Sequence, residues 1–241
     1  MAEKKKSFEV CLTPGIIDSY NFENTNVVIV DILRASSAIC TAFDFGVEAI
    51  IPVETIEEAR EFKKRGFLVA AERDGVILDF ADFGNSPYNF MSVGIKGKTI
   101  AYSTTNGTQA IHRVASAHKI IVSSYLNLSA VSTFLQDDDC DVVILCAGWK
   151  NRFSLEDAVF AGALSAYLIE SGNFNTICDS AIACMDLWSI AEVGLLKYID
   201  KAAHFSRLRN LGLDDVIEYC HTIDVTQVIP VYSGDRIIPM S

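Results

Sequence analysis

The sequence predicts an α/β protein built on a largely parallel sheet. Short runs of β-branched and other apolar residues alternate with amphipathic segments of helical composition, which is the pattern of successive βα units. The chain has 241 residues, 50% of them hydrophobic, which is enough to bury the core of one large domain or two small ones. We therefore expect a folded chain without long disordered segments.

The first half of the chain contains repeated strand and helix signals. The apolar run 27–31 predicts a buried strand, and the helical segment after it ends at Gly46. Thr55 and Glu58 have the spacing of a capping box, which opens a charged helix. The predicted strands of this half are 27–31, 48–53, 67–71 and 99–103, and the predicted helices are 34–45, 55–66 and 109–115, with a short helix starting at Ser86-Pro87.

The second half begins with two strands and then becomes mainly helical. Ser154 to Asp157 predict a second capping box, and the apolar run 225–232, which turns at 233–235, predicts a hairpin at a sheet edge. The least charged break lies near Ala117, so we place two α/β halves at residues 1–117 and 118–241. The predicted strands of this half are 119–123 and 141–146, and the predicted helices are 127–135, 154–172, 180–191, 193–201 and 213–221.

Charge and hydropathy exclude several classes of partner. The 20 basic and 31 acidic residues leave a net charge of −11, which repels nucleic acid and anionic lipid. The apolar runs fall short of the ~20 residues needed to span a bilayer, and no apolar segment of a secretory signal follows the N-terminal lysines. We expect a cytoplasmic protein that binds neither nucleic acid nor a membrane. The seven cysteines show no C-x-x-C spacing and predict reduced core thiols.

The turns after four predicted strands are unusually polar. In parallel sheets ligands collect at the carboxyl ends of the strands, so these turns are the candidate site. They alternate between groups that bind anions and groups that bind a hard cation. In chain order they contain Asp31, Arg34, Ser36 and Ser37; Glu72 and Arg73; Ser103, Thr104, Thr105, Asn106, Gly107 and Thr108; and Gly148, Lys150, Arg152, Glu156 and Asp157.

Two of these turns suit an oxyanion. Arg34 can donate to two phosphate oxygens at the start of a helix, and Ser36 adds a hydroxyl donor. The same residues are also compatible with simple capping by Asp31 and Ser36 and an ion pair of Arg34 with a carboxylate. The turn 104–108 suits a phosphoryl group and is equally ordinary turn chemistry.

The acidic residues of these turns suit a divalent cation. Mg²⁺ is bound through one or two carboxylates together with water and substrate oxygens. Glu72 and the loop residues Asp79 and Asp82 could supply such ligands or remain solvated. Glu156 and Asp157 could ligate the ion or cap their helix.

Cys146 and Arg152 have the C-x5-R spacing of cysteine phosphatases, in which a thiolate attacks a phosphate held by the arginine. No histidine directly precedes the cysteine, and the many carboxylates favour a metal instead. The four histidines show no paired spacing, so we expect surface or packing roles for them. His204, followed by Phe205-Ser206-Arg207, is the one whose mutation we expect to be informative.

Five segments carry a resemblance to a known family when they are taken together. They are VDILRASS at 30–37, AERDG at 71–75, DFGNSP at 82–87, STTNGT at 103–108, and CAG at 146–148 followed by SLED at 154–157. In this order and spacing, over roughly residues 8–239, the chain resembles the 2-phosphosulfolactate phosphatase (ComB) family. Trp149-Lys150-Asn151 departs from the smaller turn expected there, which bears on substrate identity.

The resemblance implies a three-layer α/β/α fold in two related halves and a Mg²⁺-dependent acid phosphatase. The implied substrates are phosphate esters of 2-hydroxycarboxylic acids, among them 2-phosphosulfolactate on the route to coenzyme M. For the nucleophile, our hypothesis is Asp31, at the rigid strand end, or a Mg²⁺-bound water, and Cys146 stays as an alternative. A non-catalytic binder of a phosphorylated or sulfonated metabolite is the rival from another class, and the sequence leaves monomer and homo-oligomer open.

The candidate site residues follow from these segments and from the C-x5-R spacing. The catalytic candidates are Asp31, Arg34 and Cys146; the phosphate-binding candidates are Arg34, Ser36, Asn85, Ser86, Thr104, Thr105, Asn106, Gly107, Gly148 and Arg152; and the Mg²⁺ candidates are Asp31, Glu72, Asp82, Glu156 and Asp157. A nucleotide-binding enzyme is disfavoured because no G-x-G-x-x-G or Walker segment follows a predicted strand.

Overall fold

The computed structural model describes residues 5–73, 75–104, 110–111 and 113–240. Its strands are β1 (Lys6–Cys11), β2 (Thr25–Val30), β3 (Ala49–Pro52), β4 (Leu68–Arg73), β5 (Val76–Ile77), β6 (Thr99–Ser103), β7 (Lys119–Ser123), β8 (Asp141–Cys146), β9 (Phe174–Asn175), β10 (Pro230–Ser233) and β11 (Arg236–Pro239). Its α-helices are α1 (Ala35–Asp44), α2 (Ile56–Lys64), α3 (Leu128–Asp137), α4 (Leu155–Glu170), α5 (Asp179–Ala191), α6 (Leu195–Ile199), α7 (Ala203–Asn210) and α8 (Ile217–Cys220). Short 3₁₀ helices lie at Pro14–Ser19, Pro87–Phe90, Val93–Ile95, Tyr125–Asn127 and Glu192–Gly194.

The strands form one mostly parallel sheet in the order β5-β4-β6-β3-β11-β10-β7-β2-β8-β1-β9. Strand pairs outside the C-terminal hairpin, such as β2 with β7 and β3 with β6, are parallel. The hairpin β10–β11, its contacts with β7 and β3, and the β4–β5 pair are antiparallel. The prediction of a largely parallel sheet is confirmed.

Helices cover both faces of the sheet, because apolar side chains of its strands point to both faces. Along β2, Val28 and Val30 pack into a core with α3, α4 and α5, whereas Val27 and Ile29 pack into a second core with α1. Successive side chains of a strand point to opposite faces, so this split defines one helical layer on each side. The three-layer α/β/α architecture is confirmed.

Local sequence signals correctly predicted the centres of most elements. β6, β7 and β8 have the predicted bounds. The capping box of α2 is present, because the Glu58 N–H donates to Thr55 Oγ1 over 3.1 Å and the Thr55 N–H donates to Glu58 Oε2 over 3.3 Å. The side chain of Ser154 accepts the Asp157 N–H at the start of α4. Two positions of the helix predicted at 109–115, residues 109 and 112, lie outside the described residues.

Long-range pairings differ from the expectations. The hairpin β10–β11 lies in the middle of the sheet, where Val231 pairs with Ile121 and Ile237 pairs with Ile50, so its prediction as an edge hairpin was wrong. Both of its outer edges find partners that are remote in sequence. β1 was not predicted, and it pairs with β8. β2, from the first predicted half, lies between β7 and β8 of the second. The division into halves at residue 117 stays a prediction.

The cysteines and the helix lengths agree with what the sequence predicted about thiols and membrane spans. All seven cysteines are free, and five of them are buried, as expected for reduced core thiols. Within the described ranges, no helix is both long and apolar enough to cross a membrane.

Helices α4 and α5 approach so closely at Gly162 that a side chain cannot fit there. A Cβ at this position would lie 1.9 Å from the carbonyl oxygen of Cys184. We expect Gly162→Ala to lower the free energy of unfolding by about 2 kcal/mol or more, because the two helices must separate. Urea unfolding followed by circular dichroism measures this. Gly94→Ala is the matched control, since a Cβ there meets no described atom within 4 Å; equal effects would contradict the explanation.

His221 makes stability depend on pH. Burial lowers its pKa from 6.5 to about 4. Its Nδ1–H donates to the Ile217 carbonyl over 2.7 Å, and its buried Nε2 has no hydrogen-bond partner among the described residues. Since the unfolded chain binds the proton more readily, this contribution to stability is present above pH 6.5 and is lost as the pH falls toward 4.

We expect the His221→Gln variant to lose less stability than the parent between pH 7 and pH 4, by about 3 kcal/mol, because glutamine does not titrate. Urea unfolding at both pH values provides the comparison. A parallel loss in parent and variant would show that His221 does not carry this dependence.

Candidate active site

A narrow cleft lies beyond the carboxyl ends of β2, β4, β6 and β8, where the sequence predicted the site. Its floor contains buried polar residues that follow these strands, and its far wall comes from the β8 turn and from α7. The lining residues are Asp31, Arg34, Glu72, Gly75, Asn85, Thr104, Trp149, His204, Arg207, Leu208 and Leu211.

The turn after β2 presents Asp31 at the start of α1. The Asp31 N–H donates to Ser36 Oγ over 2.9 Å, and Asp31 Oδ1 accepts the Ala35 N–H over 3.3 Å. Asp31 therefore both caps the first turn of α1 and lines the cleft. Ser36 does not line the cleft: its hydroxyl accepts the Asp31 N–H and donates to the Ile29 carbonyl, so it braces the turn instead of facing a phosphate.

Arg34 is a buried cation whose side chain reaches into the same cleft. Its Nη2 donates to Oδ1 of Asn85, a neutral amide that orients the guanidinium without cancelling its charge. The Leu33–Arg34 peptide bond is cis. A positive charge held this way is suited to an oxyanion.

Glu72, the penultimate residue of β4, is the second carboxylate of the floor, and it is buried. Its Oε2 accepts the Gly75 N–H over 2.6 Å, across the tight β4–β5 turn. Arg73 is directed away from it: its guanidinium donates to the Glu72 carbonyl oxygen and to Ser103 Oγ.

Asp157 joins two of the site's turns from the first turn of α4. Its Oδ1 accepts the Ile32 N–H over 2.9 Å and its Oδ2 accepts the Gly148 N–H over 3.1 Å. Gly148 has a φ of +59°, and a Cβ there would lie 2.2 Å from the Arg152 carbonyl oxygen. The turn after β8 thus requires glycine, and Asp157 holds it against the turn after β2.

Glu156 holds a histidine that the candidate set did not include. His204 Nδ1 lies 2.9 Å from Glu156 Oε1, and His204 lines the cleft. Burial acts to raise the pKa of Glu156, but the hydrogen bond and charge of His204 outweigh it and keep that pKa below its usual value. In the sequence, His204 stands out among the histidines by its place before Phe205-Ser206-Arg207. No sequence pattern points to Arg207, three residues later on the same helix.

Crowding of buried carboxyls sets the electrostatics of the floor. Burial raises the pKa of Asp31 to about 6, with Glu72 and Glu156 adding to the rise and His204 opposing it. Burial and the charges of Glu156 and Asp31 raise the pKa of Asp157 well above its usual value. These carboxyls disfavour each other's ionisation, so a cation bound among them would be strongly favoured.

Several candidate residues lie elsewhere. Asp82 is outside the cleft lining, where it pairs with Lys63 over 2.6 Å and accepts the Val69 N–H. Ser86 and Arg152 do not line this cleft, although Arg152 lines a neighbouring hollow. Thr105, Asn106 and Gly107 lie outside the described residues, while Thr104 is buried in the floor.

Cys146 is fully buried at the end of β8 and is not in the cleft lining. Burial, with Asp157 adding to its effect, raises the pKa of its thiol well above the usual value. A protonated, enclosed thiol is a poor nucleophile. This environment does not suit the cysteine mechanism that the C-x5-R spacing suggested.

The carboxyls of the cleft do not form a closed metal cage. In the part of the chain that the structure describes, three potential ligand atoms come within 4.8 Å of one another only in the group His118, Asp138 and Cys140. There the Lys119 ammonium already bonds to His118 Nε2 and to Asp138 Oδ2. The cleft instead offers two lining carboxyls, Asp31 and Glu72, which is the number that Mg²⁺ commonly takes from protein.

Comparison with known proteins places the chain in a family. The family model described as 2-phosphosulpholactate phosphatase matches residues 11–235. A protein of Thermotoga maritima named "Probable 2-phosphosulfolactate phosphatase" is 40% identical over 208 residues, covering 86% of this chain and 89% of its own. Proteins of the same name from Caldanaerobacter subterraneus and Clostridium botulinum (strain Eklund 17B) are 37% and 33% identical, covering 90% and 96% of this chain and 92% and 99% of their own. With this coverage, and with the five motif segments inside the matched range, the chain belongs to the 2-phosphosulfolactate phosphatase family, a family of phosphoric monoester hydrolases.

Proposed function

We propose that this protein hydrolyses phosphate esters of 2-hydroxycarboxylic acids with the help of Mg²⁺, and that 2-phosphosulfolactate is its substrate. One observation carries the proposal: the buried carboxyls of Asp31 and Glu72 line one cleft with the buried guanidinium of Arg34. This combination can bind an anion and a cation side by side. The names of the relatives support the choice of substrate.

The donor set of the cleft fits a hard divalent cation. Asp31 and Glu72 offer oxygen ligands, and a cation beside them would offset the cost of burying the Asp31 carboxylate, the burial that raises its pKa. Asp31 and Glu72 are the carboxyls that line the cleft beside Arg34, so they are the residues that would hold the ion. When bound, Mg²⁺ would supply charge neutralisation for the phosphoryl oxygens.

The chain's own residues have distinct tasks in this proposal. Arg34, oriented by Asn85, binds phosphoryl oxygens. An oxygen of Asp31 attacks phosphorus while the ester P–O bond breaks, because Asp31 is held rigidly by its capping bonds at the strand end. His204, held by Glu156, donates a proton to the departing alkoxide oxygen. Water then releases phosphate from the aspartyl phosphate.

Phosphate release from 2-phosphosulfolactate and 2-phospholactate tests the function. We expect release with Mg²⁺, loss on addition of EDTA, and recovery with excess Mg²⁺. Asp31→Asn should lower kcat about a thousandfold or more, because the amide is a far weaker nucleophile and ligand. Asp79→Asn is the matched control, since Asp79 is 80% exposed and pairs with Arg60 away from the cleft. Release that ignores EDTA, or near-normal turnover by Asp31→Asn, would refute the proposal.

Mass spectrometry of acid-quenched single turnovers separates the two nucleophiles. Attack by Asp31 predicts a phosphoryl group on the peptide that contains this residue. An inactive Asp31→Asn variant together with an unmodified parent protein during turnover would instead assign the attack to water.

Replacement of Cys146 tests the cysteine mechanism. Because this thiol is enclosed and its pKa is raised, we expect Cys146→Ala to keep kcat within about threefold of the parent, with a modest loss of stability from the small cavity. Phosphatase assays and thermal unfolding measure the two effects. Abolished turnover in a folded Cys146→Ala protein would restore the cysteine as nucleophile.

A further inference from the structure

The turn after β8 holds its residues in an uncommon conformation at the mouth of the cleft. The Trp149 N–H donates to the Arg152 carbonyl and the Arg152 N–H donates to the Trp149 carbonyl, over 3.2 and 3.0 Å. The two central residues, Lys150 and Asn151, have φ values of +52° and +57°. Two left-handed residues define a turn that usually takes Asn-Gly, so a lysine at the first position is unfavourable. A backbone conformation that costs free energy is typical of functional sites.

This turn gathers positive charge around one indole ring. The Lys150 Nζ lies 4.7 Å and the Arg207 Cζ 4.6 Å from the Trp149 ring centroid. Each contact is a cation–π interaction, but two cations on one ring repel each other. In a chain with a net charge of −11, such a local cluster is suited to an anion.

Trp149 also carries a donor without an acceptor. Its indole Nε1 is buried and has no hydrogen-bond partner among the described residues. Buried polar groups are normally paired, because an unpaired donor loses its hydration without compensation. A ligand oxygen next to Trp149 would supply the missing acceptor.

These residues separate the cleft from a second hollow. The hollow is larger than the cleft and lies beside Arg152, Phe153 and the start of α4. Trp149, His204 and Arg207 line both spaces. A ligand whose phosphoryl group lies at Arg34 would therefore have Trp149 and Arg207 beside the rest of its carbon skeleton.

We propose that Arg207 and the Trp149 indole N–H bind a second oxyanion of the substrate, a carboxylate or a sulfonate close to the ester carbon, and thereby determine specificity. The inference rests on the proposed phosphatase function and deepens it. The guanidinium donates to the oxyanion and the indole N–H donates to a further oxygen. Substrates without a second anion lose both interactions.

Three esters test the inference: 2-phosphosulfolactate, 2-phospholactate and isopropyl phosphate, which has no second anion. We expect Arg207→Met to lower the ratio of kcat/KM for phosphosulfolactate over isopropyl phosphate about tenfold or more, mainly through KM. Trp149→Phe should lower the same ratio by a smaller factor. A ratio unchanged in Arg207→Met would overturn the proposal. The ratio of kcat/KM for 2-phospholactate over isopropyl phosphate then identifies the anion. If Arg207→Met lowers this second ratio equally, the carboxylate is the group bound; if it does not, the sulfonate is.

Arg209→Met is the matched control on the same helix. Arg209 pairs with Asp200 over 2.8 Å and covers the Phe205 ring away from the cleft, so its loss should leave all three kcat/KM values unchanged. Circular dichroism and thermal unfolding establish that each variant is folded. A fall in the ratio with Arg209→Met as large as with Arg207→Met would show a general electrostatic effect and would overturn the assignment.

Fluorescence gives a readout that is independent of turnover. The chain has two tryptophans, and Trp188 lies in the core, so Trp188→Phe leaves Trp149 as the reporter. Sulfolactate, the unphosphorylated acid, should change the Trp149 emission, and Arg207→Met should weaken this binding about tenfold. Binding that depends on Arg207 without any ester hydrolysis would refute the phosphatase proposal alone. Hydrolysis by the parent with no such binding and an unchanged ratio would refute the second-anion site alone.

Discussion

The site depends on the enclosure of α1 by the sheet. Strand β6 is five positions from β2 in the sheet and β4 is six, which in a flat sheet would separate their ends by roughly 25 Å or more. Yet Asp31 after β2 and Glu72 at the end of β4 line one cleft, so the sheet curls. Residues 35–43 of α1 are all buried, and most are alanine, serine, cysteine or threonine. Their small side chains let the concave face approach the helix closely, which brings the two remote strand ends together.

Enclosure creates an electrostatic problem that hydrogen bonds partly solve. Four carboxyls are buried at or near the cleft, and burial of unpaired charge is costly. Asp157 is bound to two backbone N–H groups and Glu156 to His204, so these two act as parts of the framework. Asp31 and Glu72 keep access to the cleft. The division between carboxyls that hold the structure and carboxyls that face the ligand follows from position: Asp31 and Glu72 line the cleft, whereas Asp157 lies outside its lining and bonds through both oxygens to the backbone of two turns.

Sequence patterns predicted what is encoded locally. The bounds of β6, β7 and β8 and the capping box at Thr55 depend on residues a few positions apart, and they were found. The central hairpin and β1 depend on partners more than a hundred residues away, and a run of apolar residues does not specify them. The same limit applies to the site: residues just after strands were found, but the pairing of His204 with Glu156 spans 48 residues. Asp82 and Cys146 became candidates because of their neighbours in the sequence. In the structure Asp82 pairs with Lys63 and Cys146 is fully buried, and neither fact can be read from those neighbours.

The floor and the far wall of the cleft are built from different kinds of structure. The floor consists of residues at the ends of strands, where neighbouring strands and capping bonds leave little freedom. The wall consists of a strained four-residue turn and a helix of 8 residues, which is anchored by Phe205 and Leu208. Substitutions at exposed positions of the wall change its charge and shape without disturbing the sheet. A fold arranged this way can keep one reaction on the floor while the wall adapts to the carbon skeleton of the ester. The bulky, cationic turn at Trp149 therefore bears on which ester is accepted more than on the type of reaction.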